Sequence, residues 1–508
     1  MKKLLPIGLG VLAGSTALLA DEPKMNVLFI MSDDMRTDWK CYGTPQMHTP
    51  NFDKLASEGV LFQHNYCQYP LSGPSRTSLL SGHSPVSTRI YDNSPWWQAD
   101  HPEWASLPMY FKQNGYTTYV SGKIFHSGIE DTDAWDFGGW ERARNKGVGD
   151  FKPSYVSEEE HRLWVESKGG GKNLIKKNGK REVLPTDEYN VGHGPHSDRW
   201  GPSETEYASE TENADKAIEF IRQAAQKDEP FFIACGFSKP HTPCIAPQRF
   251  FDLYNDVEIP LEEDFCTYPM VPRGFPAGSI RDINADVFIN RRSSPEDARS
   301  FIRAYWACIS YVDWNVGRLI DALDEAGLRD NTIIVFCVDH GFMLGEKGKW
   351  SKAGSLWEEA TNVPLLIVDP RAKGNGKVSY RITENLDIYP TLIELCGLPE
   401  NPELEGTSFA ELLDNPEAEF DKPAYTVWNN HGKGITGVAI RTERWRYAEF
   451  YGAGAGRMLI DEVNDPDELV NLADQPDLAP LVEKFHQMAE EYVKGQRELT
   501  AEEAGVKE

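Results

Sequence analysis

Short apolar runs rich in β-branched and aromatic residues alternate along the chain with stretches of helical periodicity. Asn26–Met31 (NVLFIM), Thr117–Val120, Pro230–Cys235 (PFFIAC) and Thr332–Val338 (TIIVFCV) are near-continuous in apolar character, as strands buried on both faces must be. Thr211–Gln226 and Ala298–Ala326 carry helix spacing between them. That order predicts an α/β fold: a mostly parallel sheet flanked by helices on both faces. Ser167–Pro195, polar and rich in Gly and Lys, reads as an insertion or long surface excursion. The acidic, Pro-containing passage Asn401–Lys422 leads into a smaller unit ending in a charged helix near Ala479–Arg497. The pattern divides the chain into a large domain over residues 21–400 and a smaller C-terminal α+β subdomain over residues 401–508.

At the other end, Lys2 and Lys3 precede an apolar run from Leu4 to Ala20, and the texture turns polar at Asp21. This is the pattern of a signal peptide over residues 1–20. The rival, an uncleaved anchor helix, needs a longer run to span a bilayer. The mature protein is therefore expected to be periplasmic or secreted, without stable membrane insertion after cleavage. Composition narrows the class further. The 508 residues are 40% hydrophobic and 11% aromatic, enough to bury a large core and to exclude a disordered chain. With 79 acidic against 52 basic side chains, the net charge of -27 excludes a nucleic-acid binder, which needs a basic face. Eight cysteines with no CxxC pair are too sparse for a disulfide scaffold or a zinc ribbon.

In open α/β sheets, ligands sit at the carboxyl ends of the strands. The first strand runs into Ser32-Asp33-Asp34, and TIIVFCV runs into Asp339-His340-Gly341. PFFIAC is followed by Lys239-Pro240-His241, and the Thr117–Val120 strand by Ser121-Gly122-Lys123 and then His126. One such acidic pair could simply cap the next helix. Recurrence at several strand ends points instead to convergence, and converging carboxylates repel unless a divalent cation sits among them. Oxygen donors favour Ca2+ or Mg2+. A second constellation, Leu71-Ser72-Gly73-Pro74-Ser75-Arg76, precedes a predicted helix. Ser72 is expected just before the helix start, where free backbone N–H groups and the helix dipole favour an anion. The plainer reading of Ser72 is an ordinary N-cap.

These residues carry a resemblance. Ser72-Gly73-Pro74-Ser75-Arg76 resembles the C/S-x-P-S-R signature of type I sulfatases. The likeness extends through the Asp33-Asp34 pair, Gly122 to His126, Lys239-Pro240-His241, Asp339-His340-Gly341 and Trp350-Ser351-Lys352, in family order from about Asn26 to Pro370. It continues more weakly through Asp387–Leu392 and Asn464-Asp465-Pro466. The spacing within Arg89–Asn93, Gly122–His126 and Asp339–Gly341 is most similar to the iduronate 2-sulfatase branch.

The resemblance implies an alkaline-phosphatase-like fold and a sulfuric ester hydrolase in which Ser72 is oxidised to formylglycine by a radical enzyme before export. One hydroxyl of the hydrated aldehyde then attacks sulfur, and the other expels sulfate by elimination. By the same resemblance, Asp33, Asp34, Asp339 and His340, with the oxidised Ser72, hold one Ca2+. Many sulfatases carry Asn where this chain has His340. Arg76 orients the formylglycine, Lys123 and Lys352 clamp sulfate oxygens, His126 serves the elimination, and His241 protonates the leaving oxygen. The branch implies the 2-O-sulfate of a uronic acid in a glycosaminoglycan or in an algal polysaccharide such as ulvan. Tyr91, Trp96, Trp97, His101 and Trp104 follow the signature and offer either an aromatic wall for a sugar ring or ordinary core packing. Two competing functions remain: a phosphodiesterase or phosphonate monoester hydrolase on the same fold, and a noncatalytic glycan-binding protein if Ser72 is left unoxidised.

Overall fold

The computed structural model describes residues 24–497 except 94, 96, 127–128, 139–173, 178–179, 184–199, 204–208, 290 and 431–433. The expected signal peptide lies outside the described residues. So does most of Ser167–Pro195, apart from the backbone of a short hairpin pairing Leu174–Lys177 with Lys180–Val183.

The large sheet contains β1 (Asn26–Asp33), β2 (Val60–Tyr66), β3 (Thr117–Gly122), β4 (Phe137–Gly138), β5 (Phe231–Pro240), β6 (Thr332–Val338), β7 (Leu365–Val368) and β8 (Lys377–Glu384). They lie in the order β8-β2-β7-β6-β1-β5-β3-β4. Only β7 runs antiparallel to its neighbours. The strands expected from apolar runs are the contiguous centre, β6-β1-β5-β3, where both faces are covered. The others give weaker signals: β7 is four residues long, and β8 alternates as an edge strand does.

Alternation along β1 builds both sides of the core. Leu28 and Ile30 join the apolar cluster beneath α2 (Ser209–Ala224) and α3 (Pro295–Glu325). Val27, Phe29 and Met31 face the opposite way, against Leu79 and Leu80 of α1 (Ser72–Ser81) and Ile388 and Leu392 of α4 (Ile388–Leu395). Each fully buried aliphatic or aromatic side chain contributes about 2 kcal/mol. Helix α3 starts three residues before its apolar periodicity, because Ser294 caps it through Asp297 N at 3.0 Å and Pro295 opens the first turn.

The smaller unit is an antiparallel sheet of β9 (Ala424–Asn429), β10 (Ile435–Arg441), β11 (Trp445–Phe450) and β12 (Gly456–Asp461). Val482, Phe485, Ala489 and Val493 of α5 (Ala479–Val493) pack into its cluster together with Tyr69, Met343 and Trp357 of the larger unit. The helix stops at Val493, short of Arg497, because Lys494 and Gly495 take left-handed backbone. Buried Arg446 joins the units, pairing with Glu358, with Glu462 at 2.9 Å and with Glu468 at 2.6 Å. Phe409, Leu412 and Leu413 pack with the large sheet, so the Asn401–Lys422 passage adheres to that core before β9 begins. All eight cysteines are free thiols. Among the described residues, no helix is long and apolar enough to cross a membrane.

Candidate active site

Parallel pairing places the ends of β1, β5, β6 and β3 side by side, and the chemistry-bearing residues follow from that register. Asp33 pairs across from Pro240, so Asp34 and His241 leave their strands together. The ends of β3 and β5 approach closely only because both carry glycine. A Cβ on Gly122 would stand 1.9 Å from Gly236 O, and one on Gly236 would stand 2.0 Å from Lys123 O. This crossing delivers Lys123 to the Asp33 carboxylate, with which it forms a short ion pair.

Ser72 opens α1 as its first helical residue rather than preceding it, and Leu71 is the N-cap. Its hydroxyl caps nothing. Oγ lies 3.0 Å from Asp33 Oδ1 and 3.0 Å from His340 Nε2, with the residue 2% exposed. The plain N-cap reading therefore falls. The N–H of Gly73 donates to Asn93 Oδ1 at 2.7 Å, which fixes the loop after the helix against its start.

Arg76 is fully buried one turn on. Its Nε donates to Asp339 Oδ2 at 2.8 Å, and its Nη atoms donate to the carbonyls of Lys123 and Ile124 at 2.8 Å and of Ser32 at 3.2 Å. A further contact of 3.7 Å reaches Asp33 Oδ2. The guanidinium thus ties strand ends together and aligns two carboxylates; among the described residues it makes no hydrogen bond to Ser72.

Asp33, Asp34, Asp339 and His340 are all buried, and one ligand atom from each lies within 4.8 Å of the others. Asp34 holds a positive φ of 61°, an unfavourable region for a side chain. It is pinned there by its own N–H donating to Asp339 Oδ1 at 3.2 Å and by the Tyr305 hydroxyl on its carbonyl. Asp34 Oδ1 is buried with no hydrogen-bond partner. Such an orphan, amid carboxylates, fits a divalent cation. Burial pushes the Asp34 carboxyl well above its ordinary range, against the pull of Lys352, because Asp33, Asp286 and Asp339 crowd it. Burial acts the same way on Asp33, but Lys123 and Arg76 more than reverse it and hold that carboxyl well below the usual range. His340 donates from Nδ1 to Gly341 O at 3.0 Å, which leaves Nε2 as a lone-pair donor facing Ser72 and Asp339. Burial holds this imidazole neutral, as a metal ligand must be.

Lys352 is buried, with Nζ 2.7 Å from Asp34 Oδ2 and 3.3 Å from Asp286 Oδ1. Burial alone would lower its pKa; Asp286 and Asp34 raise it above the ordinary lysine value. His241 Nδ1 donates to Thr242 O at 2.6 Å, and Nε2 stands 4.0 Å from Asp34 Oδ2. His126 has a buried Nδ1 without a hydrogen-bond partner. Burial, then Lys123, holds it well below its ordinary pKa, so it is neutral. The structure thus gathers Ser72, Arg76, Lys123 and Lys352 with the acidic strand ends, and brings His241 and His126 to their edge.

The aromatic stretch divides. Trp97 is fully buried and belongs to packing. Trp104 is stacked between His83 and His101 with ring centroids 3.6 and 3.7 Å away, Tyr91 lies 6.2 Å from Tyr69, and Trp96 is outside the described residues.

Three residues that sequence reasoning missed support the site. Asp286 pairs with Lys352, Tyr305 holds Asp34, and Asn385 donates to Val338 O at 2.8 Å behind Asp339. Asp286 lies in an irregular loop, and Tyr305 reads as an apolar helix residue, so neither stood at a strand end.

The sulfatase family profile matches residues 25–398, and the profile for the C-terminal part of N-sulphoglucosamine sulphohydrolase matches residues 345–495. Iduronate 2-sulfatase of Mus musculus is 30% identical, over 86% of this chain and 86% of its own length. Two solved structures share the alkaline-phosphatase-like fold. One, in complex with its substrate D-glucosamine-2-N,6-O-disulfate, gives a TM-score of 0.67 at 23% identity over 93% of this chain and 98% of its own. The other, phosphonate monoester hydrolase of Agrobacterium radiobacter, gives 0.68 at 24% identity over 93% and 96%. Profile, relative and the convergence of Ser72 with three aspartates and His340 agree: the chain belongs to the sulfatase family and is a sulfuric ester hydrolase.

Proposed function

We propose that this sulfatase is an exported enzyme that removes the 2-O-sulfate of a uronic acid from a glycosaminoglycan, from ulvan or from their oligosaccharides, using Ser72 oxidised to formylglycine. The observation that carries the reading is the position of Ser72 Oγ, at the first turn of a buried helix and 3.0 Å from both Asp33 Oδ1 and His340 Nε2. The substrate assignment draws on the likeness to iduronate 2-sulfatase.

Asp33, Asp34, Asp339 and His340, joined by the modified Ser72, would hold one Ca2+, which supplies Lewis acidity at a sulfate oxygen and at the nucleophilic hydroxyl. Oxidation matters because a serine hydroxyl is a weak nucleophile with no route to release a sulfate ester formed on it, whereas a hydrated aldehyde has a second hydroxyl. His126, held neutral, accepts the proton as that hydroxyl is unmasked. Lys123, paired with Asp33, and Lys352, paired with Asp34, stabilise charge on sulfate oxygens. A sugar alkoxide is strongly basic and leaves only when protonated, the task of His241 through Nε2, while its Nδ1–H is anchored on Thr242 O.

The test begins with the tryptic peptide Leu55–Arg76 from the native host. Oxidation of Ser72 lowers its mass by about 2 Da. The matured enzyme is then screened on defined sulfated oligosaccharides, with released sulfate read by position. An unmodified peptide in the native host would sink the formylglycine mechanism. Turnover of phosphate or phosphonate esters well above that of every sulfate ester would sink the sulfatase substrate.

A further inference from the structure

Among the described residues, the cations of the interior are mostly paired with carboxylates: Arg76, Lys123, Lys352, Arg36, Lys422 and Arg446 each sit in an ion pair. Arg281 does not. Among the described residues its guanidinium has neither a carboxylate within ion-pair distance nor a hydrogen-bond acceptor, although burial is enough to lower its pKa. Asp282, next in the chain, is exposed and makes no ion pair with it.

Its position is defined from two sides. The stem of Arg281 crosses Gly354, where a Cβ would stand 2.3 Å from Arg281 Cδ and 3.4 Å from Trp428 Nε1. Gly354 lies two residues beyond Lys352. The guanidinium carbon stands 5.9 Å from the Trp428 ring, within cation–π range. Trp428 in turn packs on Tyr69 at 5.1 Å, and the Tyr69 hydroxyl donates to Tyr91 O at 3.1 Å. Tyr69 lies three residues before Ser72, and Tyr91 two before Asn93, the acceptor for Gly73. Arg281 is therefore bracketed by the segment that carries Lys352 and the segment that carries Ser72. Its loop is fastened from beneath, since Lys349 Nζ donates to Arg281 O at 3.3 Å and also to Ile283 O, and Trp350 N donates to Asn284 Oδ1 at 2.9 Å.

We propose that Arg281, backed by the Trp428 indole, forms a carboxylate-binding subsite beside the sulfate pocket and reads the uronate carboxyl of the substrate. A planar guanidinium with free donors matches a carboxylate bidentately. Placed on an aromatic face, it keeps that geometry without losing rotamer freedom on binding. Trp428 is itself buried in the cluster of the smaller sheet, so it fixes the plane of the guanidinium from beneath. The subsite rests on the proposed uronate substrate and adds the residue that selects it.

The test compares one pair of substrates, a disaccharide carrying a uronate 2-sulfate and the same disaccharide with its carboxyl reduced to the alcohol. For the matured wild-type enzyme, Arg281→Lys and Arg281→Ala, the quantity read is the ratio of kcat/KM on the two. The ratio should fall roughly 10- to 100-fold in Arg281→Ala, mainly through KM on the carboxylate substrate, with Arg281→Lys between. A ratio unchanged in Arg281→Ala, with equal losses on both substrates or none, overturns the subsite while leaving the uronate reading in place. A wild-type enzyme that cleaves neither disaccharide but cleaves another sulfated sugar overturns the uronate reading and the subsite with it. Melting temperatures of the variants near the wild-type value establish that the loss is one of recognition.

Discussion

Asp286→Asn is the most informative perturbation of the site, because Asp286 is not itself an expected ligand and lies outside the Ser72–Arg76 signature. Its carboxylate stands 3.3 Å from Lys352 Nζ, and both residues are almost wholly buried. Coulomb's law at an effective dielectric of about 20 gives about 5 kcal/mol for that pair. Against this stand the desolvation of the carboxylate, which asparagine avoids, and the amide oxygen it leaves for the ammonium, worth about 1 kcal/mol. The net loss is about 2–3 kcal/mol of stability, or about 2–3 °C in Tm for a chain of this length. The sign with pH follows from Lys352, whose pKa is raised above the ordinary value. Its stabilisation is complete below the unfolded lysine value and lost only above it, so the deficit of the variant should be constant across neutral pH. Function should suffer more than stability. With one carboxylate gone, Lys352 is held by Asp34 alone, and kcat/KM for sulfate ester hydrolysis should fall about 10- to 100-fold, chiefly in kcat. Calorimetry at saturating Ca2+ and ion chromatography of released sulfate measure both. Wild-type Tm together with wild-type kcat would show that Asp34 alone positions Lys352 and refute the reasoning.

Chelation should abolish sulfate release and lower Tm, since it strands Asp34 Oδ1 beside two further buried carboxylates; Ca2+ should restore both better than Mg2+, which demands stricter octahedral geometry, and equal rescue would count against the calcium assignment. Gly73→Ala should cost about 1–3 kcal/mol and at least tenfold in activity, because the new Cβ would stand 2.7 Å from Asn93 Cα; an unaffected variant would mean that the loop yields freely. Away from the site, burial would raise the Glu405 carboxyl, but His83, Ser87 and Ser84 bring it down to about 2. Its contribution, about 1–2 kcal/mol after allowance for solvent screening, is present above the unfolded glutamate value and lost as pH falls towards 2. The Tm gap between wild type and Glu405→Gln should therefore narrow below about pH 4.5, and a gap constant from pH 6 to pH 3 would contradict the pairing.

What was legible in the sequence follows physical contrast. TIIVFCV and NVLFIM announce themselves because central parallel strands exclude polar side chains, so Asp33, Asp34, Asp339 and His340 stand out where they end. Strand β5 runs on through Lys239 to Pro240, beyond the apolar run that marks it, because its pairing with β1 shifts register between Met31 and Asp33. Half-polar β2 and short β7 gave no comparable contrast. The local sequence points to Ser72 one residue outside its helix, since an N-cap and a first-turn serine share the same signal. Asp286 could not be found from spacing at all: it reaches Lys352 because Asn284 and Val287 pair with Trp350, a tertiary contact with no periodic trace.

A net charge of -27 and an anionic substrate are reconciled by a local count of charge. Around the pocket, Asp33, Asp34, Asp286 and Asp339 face Arg76, Lys123 and Lys352, so four acids exceed three cations by one, with His126 and His340 held neutral by burial and His241 left aside as the proposed acid. A divalent cation turns that deficit into a single positive charge. The pocket is then matched to a sulfate monoester, a monoanion, and mismatched to a phosphate monoester, which carries nearly twice the charge at neutral pH. A phosphonate monoester is also a monoanion, so the count admits it equally. Selection between them must then come from outside the charge-matched core, from the side of the pocket where the leaving sugar lies. The groups proposed for that side are His241, as the acid, and Arg281 over Trp428, a cation with no carboxylate partner among the described residues.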